Sequence, residues 1–338
     1  MTSLADIIEE FSSPTAYPEP TKKVDVVQTQ MSVVFLTDKY VYKIKKPVNL
    51  GYLDYTTLEK RKYLCEQEIR LNRRLCTDIY LSVVPVTLET GKMMLDGKGE
   101  PVEYAVKMRK LPHKHMLDVL LSKERVSYSM MGRVAEKVAD FHARAATSPE
   151  IGKFGSLETI AFNTEENFSQ TEKYIGQVIS KEQYTGLVRY TRNFIKNNAD
   201  LFNKRVHDGK IKDCHGDLHT QHICFMDGIC IYDCIEFNDR FRYVDVAAEV
   251  SFLAMDLDRW GRPELSTHFV NEYVVKSGDR EILALLNFYK CYFAYVRAKV
   301  NCFRLDDALL SEKDKAQALK DARNYFGLAE SYRMRDEQ

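Results

Sequence analysis

Two aspartates and a histidine carry the strongest chemical signal in this chain. They lie in Cys214-His-Gly-Asp-Leu-His-Thr-Gln-His-Ile-Cys-Phe-Met-Asp-Gly-Ile-Cys-Ile-Tyr-Asp233, where Asp227-Gly228 separates two apolar runs. An Asp-Gly pair in that setting predicts a hairpin closed by a two-residue primed turn. That turn pairs Met226 with Ile229 and, counted outward, sets His222 opposite Asp233. Cross-strand partners hold their Cβ atoms about 4.5–5.5 Å apart. Asp217, five residues before His222, then enters the same open end of the hairpin. Two acids and an imidazole gathered in this way suit phosphoryl transfer. One carboxylate orients and deprotonates an acceptor hydroxyl, while the second holds a divalent ion that bridges nucleotide phosphates. Any one of these residues alone reads as a solvated loop side chain; the joint arrangement carries the chemistry.

A second group points the same way. Residues 57–75 read as a helix with Leu64, Leu71 and Leu75 on one face, and Glu68 falls on that apolar face. A buried acid is costly unless paired. The preceding strand offers Lys43, which shares its face with Val41 and Lys45. A strand lysine paired to a helix glutamate is how kinase folds fix the lysine that contacts nucleotide phosphates. Lys45 is the rival for that role, and Lys43, Lys45 and Lys46 together also read as a basic, solvated edge.

The elements that position these residues divide the chain. A short helix over 3–11 precedes a proline-containing linker, giving an N-terminal arm over 1–23. β-type segments cover 31–37, 40–45, 82–88 and 102–109, with the 57–75 helix between them. Residues 24–111 are therefore read as a β-rich nucleotide-binding lobe. Beyond Leu111-Pro112, Met131, Val134, Ala135, Val138, Phe141 and Ala145 form one apolar helical stripe. Further helices are expected near 165–205 and over most of 244–335, with a short β region at 211–233. Residues 112–338 thus form a mainly helical lobe, and the fold class is α+β.

Composition narrows the function. The 338 residues balance 49 Lys+Arg against 49 Asp+Glu, without the basic excess of a protein that neutralises many nucleic-acid phosphates. No nucleic-acid partner is expected. The N-terminus lacks the basic and apolar regions of a secretory signal. No segment approaches the ~18 apolar residues of a membrane span, so the expectation is a soluble, cytoplasmic protein with no membrane partner. None of the eight cysteines has CxxC spacing, and they read as reduced, buried thiols.

The motifs His215-Gly-Asp-Leu-His-x-x-His-Ile, Ile231-Tyr-Asp233, Asp245-Val-Ala247 and Val138-Ala-Asp-Phe-His-Ala-Arg144 resemble those of the aminoglycoside phosphotransferase/choline kinase branch of the protein-kinase-like superfamily. The similarity covers roughly residues 25–310. It is greater to an uncharacterised bacterial subgroup marked by Tyr42-Lys-Ile-Lys-Lys-Pro-Val48, Glu68-Ile-Arg-Leu-Asn-Arg-Arg74 and Asp233-Cys-Ile-Glu-Phe-Asn238. Some members of that subgroup carry an additional phosphate-loop domain; these 338 residues contain no GxxxxGK[ST].

The resemblance implies a two-lobed protein-kinase-like fold and an ATP-dependent kinase that transfers the γ-phosphoryl group to a hydroxyl of a small molecule. It implies Asp217 as catalytic base, Asp233 as principal metal ligand, and Lys43 with Glu68 as the phosphate-contacting pair. Lys107, Met108 and Arg109 would lie where the last strand of the first lobe and the hinge meet adenine. Asp245 would support the catalytic loop. Two departures stand out. His222 replaces the usual Asn as second metal ligand, which favours weaker Mg²⁺ binding or a preference for Mn²⁺. The first strand turn, Thr37-Asp38-Lys39, has no glycine and must rely on its backbone or on Lys39 for phosphate contact. These departures support an alternative, a nucleotide-binding pseudokinase with a regulatory or partner-binding role. A protein kinase proper is disfavoured by the absent glycine-rich loop and Ala-Pro-Glu signature. Lys290, Arg297 and Lys299 would suit an anionic acceptor, but read more readily as one polar helix face with aromatic core contacts. Asp256 and Asp258 would bind a cationic acceptor or cap a helix.

Overall fold

The computed structural model describes residues 3–308 and 310–337. Helix α1 (Leu4–Phe11) opens the chain, its Ser3 and Asp6 forming a reciprocal capping box. Strands β1 (Asp25–Gln28), β2 (Ser32–Leu36) and β3 (Tyr40–Lys45) lead to α2 (Leu58–Asn72), and β4 (Tyr80–Glu89), β5 (Lys92–Leu95), β6 (Pro101–Arg109) and α3 (Leu117–Ser122) follow. Next come α4 (Tyr128–Arg144), α5 (Pro149–Gly152), α6 (Leu157–Thr171), α7 (Lys181–Asn197) and α8 (Ala199–His207). Short strands β7 (Ile211–Asp213), β8 (Ile223–Phe225) and β9 (Ile229–Ile231) precede α9 (Asp239–Arg242) and β10 (Tyr243–Asp245). The chain finishes in α10 (Val246–Arg259), α11 (Pro263–Ser277), α12 (Ile282–Leu305) and α13 (Glu312–Asp336). A β-rich N-terminal region followed by a mainly helical one is the two-lobed α+β, kinase-like architecture.

The chain divides into two compact units. The first comprises Met1–Val119 and Gln221–Asp239, so the β8–β9 hairpin belongs with the N-terminal sheet. That sheet has six antiparallel strands in the order β1-β2-β3-β6-β4-β5. Alternation along β3 splits its side chains between two faces. Tyr42 and Ile44 join Phe35, Val86 and the α1 residues Ile7 and Phe11 in one apolar core. The other face contributes Val106 and Met108 to a second core with Cys65, Ile69 and Tyr80. Val41, Lys43 and Lys45 alternate with the first set and so share the second face.

The hairpin corrects the expected register. Ile223 pairs with Ile231, Cys224 with Cys230 and Phe225 with Ile229. The loop is therefore the three residues Met226–Gly228, and the ladder continues through a bond from Tyr232 N to His222 O at 3.0 Å. Met226 does not pair with Ile229, and His222 opposes Tyr232 rather than Asp233. A one-residue slip of this kind normally turns a side chain to the other face.

Cysteine usage also departs from the expectation of reduced thiols. Cys76, just beyond α2, forms a disulfide with Cys230 of β9, with Cα atoms 4.8 Å apart. It ties the end of α2 to the hairpin. The other six cysteines are buried.

The second unit comprises Leu120–Thr220 and Arg240–Gln338. Its centre is α10, which is buried continuously from Val246 to Leu257, as a helix enclosed on all sides must be. Helices α4, α11 and α12 pack around this unit's interior, with α13 along α12. No described helix is long and apolar enough to cross a membrane.

Candidate functional site

In the first unit Lys43 joins two carboxylates. Its Nζ donates to Glu68 Oε1 and to Asp233 Oδ1, each at 2.9 Å. The side chain of Glu68 is fully buried. Burial alone would lower the Lys43 ammonium, but Asp233, Glu68 and Glu236 outweigh it and hold its pKa well above the ordinary value. Burial likewise pushes the Glu68 carboxyl up, and the two lysines bring it below the ordinary range.

The choice between Lys43 and Lys45 dissolves, because Glu68 serves both. Lys45 Nζ donates to Glu68 Oε2 at 2.6 Å and also to Glu236 Oε1. The Tyr55 hydroxyl donates to the same Glu236 oxygen at 2.6 Å. Glu236 is a residue that sequence reasoning quoted only as part of a motif. Its signal was available: an acid three residues after Asp233 in an otherwise apolar stretch. Three acids, Glu68, Asp233 and Glu236, thus face two lysines. Asp233 is the exposed member of the three, its side chain 41% exposed while the other two acids are buried.

Asp233 is held in an unusual backbone state. Its φ of 63° lies in the left-handed region, which costs a non-glycine residue energy and persists only where neighbours enforce it. The Tyr80 hydroxyl accepts from Asp233 N at 3.1 Å, and Asn72 Oδ1 accepts from Cys234 N at 2.9 Å. Asn72 in turn donates to Glu68 O at 2.8 Å, linking the bend to α2. His222 Nε2 lies 3.6 Å from Asp233 Oδ2. The pair that the wrong register had implied thus meets through the bend after β9, beyond the end of the ladder.

An imidazole nitrogen beside a partly exposed carboxylate is a mixed donor pair for a divalent ion. It fits Mn²⁺ better than Mg²⁺, which favours oxygen ligands.

The expected adenine-side residues do not join this cluster. Lys107 pairs with Tyr42 and Ser82 in the sheet, on the face away from Lys43. Its ammonium lies 4.5 Å from the Tyr40 ring centroid and 3.9 Å from Glu19. Met108 is buried in the core below α2, and Arg109, which is exposed, donates its N–H to Ile79 O. The glycine-free turn is closed on itself: Thr37 N donates to Tyr40 O, and Tyr40 N to Thr37 Oγ1. Lys39 lies over the Tyr40 ring.

The second unit builds the loop that carries Asp217. His215 N and Gly216 N both donate to Glu249 Oε1 at 2.7 Å. His142 Nε2 meets the other Glu249 oxygen at 2.7 Å, and His142 Nδ1 meets the Tyr273 hydroxyl. Burial raises the Glu249 carboxyl, but His142, His215 and the Gly216 N–H together hold it below the ordinary range. Gly216 has φ 87°, a conformation that glycine adopts freely. Asp217 N donates to His215 Nδ1 at 3.2 Å, and His219 Nε2 lies 3.5 Å from Asp217 Oδ2. Asp256 Oδ2 accepts from both Thr220 N and Thr220 Oγ1.

The loop's support is therefore Glu249, where Asp245 was expected. Asp245 caps α10 through Ala247 N and pairs with the wholly buried Arg205, which also binds Asp279. Glu249 lies one turn further along α10, and its signal was an acid in a continuously apolar helix. Lys290, one of the three expected cations, is neutralised by Asp258 at 2.9 Å.

No protein-family model matches the sequence. Uncharacterized proteins of Mycobacterium tuberculosis and Mycobacterium bovis are each 33% identical over 307 residues, covering 90% of this chain and 59% of the relative. The chain thus spans less than two thirds of the length of those relatives. A solved choline/ethanolamine kinase family protein from Mesorhizobium loti aligns over 97% of this chain and 98% of its own, with a TM-score of 0.55 and 12% identity. Likeness at that identity shows the fold alone, the two-lobed α+β, kinase-like architecture.

Proposed function

We propose that this chain is an ATP-dependent small-molecule kinase, akin to the bacterial subgroup that its motifs resemble. The observation that most supports the reading is Lys43 bridging Glu68 and Asp233 at 2.9 Å each, in a chain with a kinase-like fold. Lys43 is the cation for the nucleotide phosphates, and Glu68 fixes it. Asp233 and His222 would hold Mg²⁺ or Mn²⁺, which neutralises charge on those phosphates when bound. Asp217 takes the proton of the acceptor hydroxyl as that oxygen bonds to the γ-phosphorus. The bond from the γ-phosphorus to the bridging oxygen of ADP breaks in the same exchange. The residues around 107–109 mark the adenine side.

A second reading, a nucleotide-binding pseudokinase, draws on His222 and on the self-closed turn at Thr37–Tyr40. Transfer of label from γ-labelled ATP into a small-molecule cell extract separates the two. The kinase reading predicts labelled product together with ATP-dependent thermal stabilisation. Stabilisation without any labelled product, in Mg²⁺ or in Mn²⁺, would favour the pseudokinase.

A further inference from the structure

The Asp233 bend hangs on one corner of the first unit. Asn72 closes α2, Tyr80 opens β4, and between them the chain turns through Cys76. Both ends of that corner grip the bend: Asp233 N donates to the Tyr80 hydroxyl at 3.1 Å, and Cys234 N to Asn72 Oδ1 at 2.9 Å. Cys76 lies four residues after Asn72 and four before Tyr80, and its own N–H donates to Asn72 O at 2.9 Å. Its disulfide partner, Cys230, lies three residues before Asp233. The covalent tie is thus set midway between the two hydrogen bonds that hold the bend.

The hairpin depends on such ties. It forms a two-stranded sheet of its own, apart from the six-stranded one, and meets the rest of the unit through an isolated bridge, Met116 opposite Cys224. Asp233 keeps its φ of 63° while its neighbours enforce it, and the bend is what brings Asp233 Oδ2 within 3.6 Å of His222 Nε2. A disulfide that served stability alone could sit anywhere in the fold; the loss of this one falls on Asp233. Neighbouring thiols do not compete for it. Cys224 opposes Cys230 in the ladder and Cys65 shares the same apolar core, but burial pushes these thiols up to about 11 and about 12. With little thiolate at neutral pH, neither exchanges readily with the bond.

We propose that the Cys76–Cys230 pair is a redox switch on the Asp233 bend. Joined, the pair locks the hairpin to the corner between α2 and β4; reduced, it frees the hairpin and the bend relaxes. Resting on the reading of His222 and Asp233 as metal ligands, the reduced form binds the divalent ion more weakly. The co-reactant is a dithiol. One of its thiolates attacks a sulfur of the pair and forms a mixed disulfide, expelling the other cysteine as a thiolate that takes up a proton. Its second thiolate then releases the first cysteine in the same way. The dithiol leaves as a cyclic disulfide, two electrons having passed to the protein. Cys76 and Cys230 are 5% and 3% exposed, so the attack waits on an opening of the corner. Redox state and binding are linked, and a bound ion therefore resists reduction by the same factor by which reduction weakens its binding.

The 338-residue chain is compared as purified in air and after dithiothreitol followed by anaerobic desalting. Thiol counts of six and eight in denaturant verify the two states. Hydrogen exchange followed by NMR reads the Asp233 and Cys234 amides in metal-free protein, and electron paramagnetic resonance reads the binding of Mn²⁺ with ADP. Reduction is expected to speed exchange at those two amides at least tenfold and to weaken Mn²⁺ binding at least fivefold, and reoxidation to restore both. Cys76→Ser and Cys230→Ala should each match the reduced wild type and ignore the reductant. Exchange and Mn²⁺ affinity both unchanged by reduction would overturn the switch, and a urea midpoint that fell meanwhile would show a cross-link that only stabilises. Eight thiols before any reductant would overturn it as well. Faster exchange with no Mn²⁺ bound in either state would instead sink His222 and Asp233 as metal ligands and leave the switch on the bend standing.

Discussion

Breaking the Lys45–Glu236 pair tests whether the buried charge cluster is a cooperative unit. Lys45 is 1% exposed and Glu236 is 5% exposed at the side chain, so neither charge is solvated once its partner is gone. Removing one member of such a pair typically costs about 3–5 kcal/mol. Lys45→Met also strips Glu68 of one of its two lysines, leaving only Lys43. Glu236→Gln leaves Lys45 with Glu68, so about 3 kcal/mol is expected there. The double variant removes both charges at once, and its cost should fall short of the sum by about 2 kcal/mol, a coupling energy within the range of direct partners. Urea unfolding followed by circular dichroism gives the three values. The exposed pair Lys60–Asp54 serves as the control, and Lys60→Met should leave the urea midpoint where it was. Single variants costing under about 1 kcal/mol, or strict additivity in the double, would refute the reasoning.

Three further outcomes follow from particular contacts. Thiol titration in denaturant should count six thiols without reductant and eight with it, since Cys76 and Cys230 are joined. Closing that loop should stabilise the protein by about 5 kcal/mol in the chain-entropy treatment, and eight thiols in both samples would contradict it. His222→Asn should reduce the ratio of Mn²⁺- to Mg²⁺-supported activity, because it replaces an imidazole with an oxygen donor; a ratio unchanged by the substitution would remove His222 from the metal site. The Glu249 carboxyl is held below its ordinary pKa, so the stability it contributes is present above the unfolded value of about 4.3 and is lost as pH falls through the lower folded value. Glu249→Gln should flatten the acid limb of the stability profile, and an unchanged limb would show that other carboxylates govern acid unfolding.

Much of the site was legible because a few residues defy their surroundings. Glu68 in an apolar helical stripe demanded a cation, and β3 supplied one. Alternation along β3 allowed two, and only the three-dimensional structure reveals that a carboxylate's two oxygens can be divided between Lys43 and Lys45. The hairpin was legible from Asp227-Gly228, but its register was not. A two-residue and a three-residue loop differ by one position, and both accommodate an Asp-Gly pair. His222 and Asp233 nonetheless meet, because the left-handed bend at Asp233 lies beyond the ladder, where strand alternation says nothing. Strands β1 and β5 were missed for a simpler reason: at four residues each they are too short for periodicity to register. The Cys76–Cys230 bond joins residues 154 apart, and spacing carries no signal at that range. Glu249 was overlooked because Asp245 matched a motif and stood nearer the start of α10, where an acid is also the natural cap.

The central claim, that Asp217 takes the acceptor proton during phosphoryl transfer, is tested most directly by one comparison. Wild type and Asp217→Asn are given γ-labelled ATP with the same acceptor fraction, and both label transfer and nucleotide affinity are measured. The account predicts a loss of transfer by about 10²–10⁴-fold, as expected for general-base catalysis, with nucleotide affinity essentially unchanged. Transfer by Asp217→Asn at the wild-type rate would contradict it.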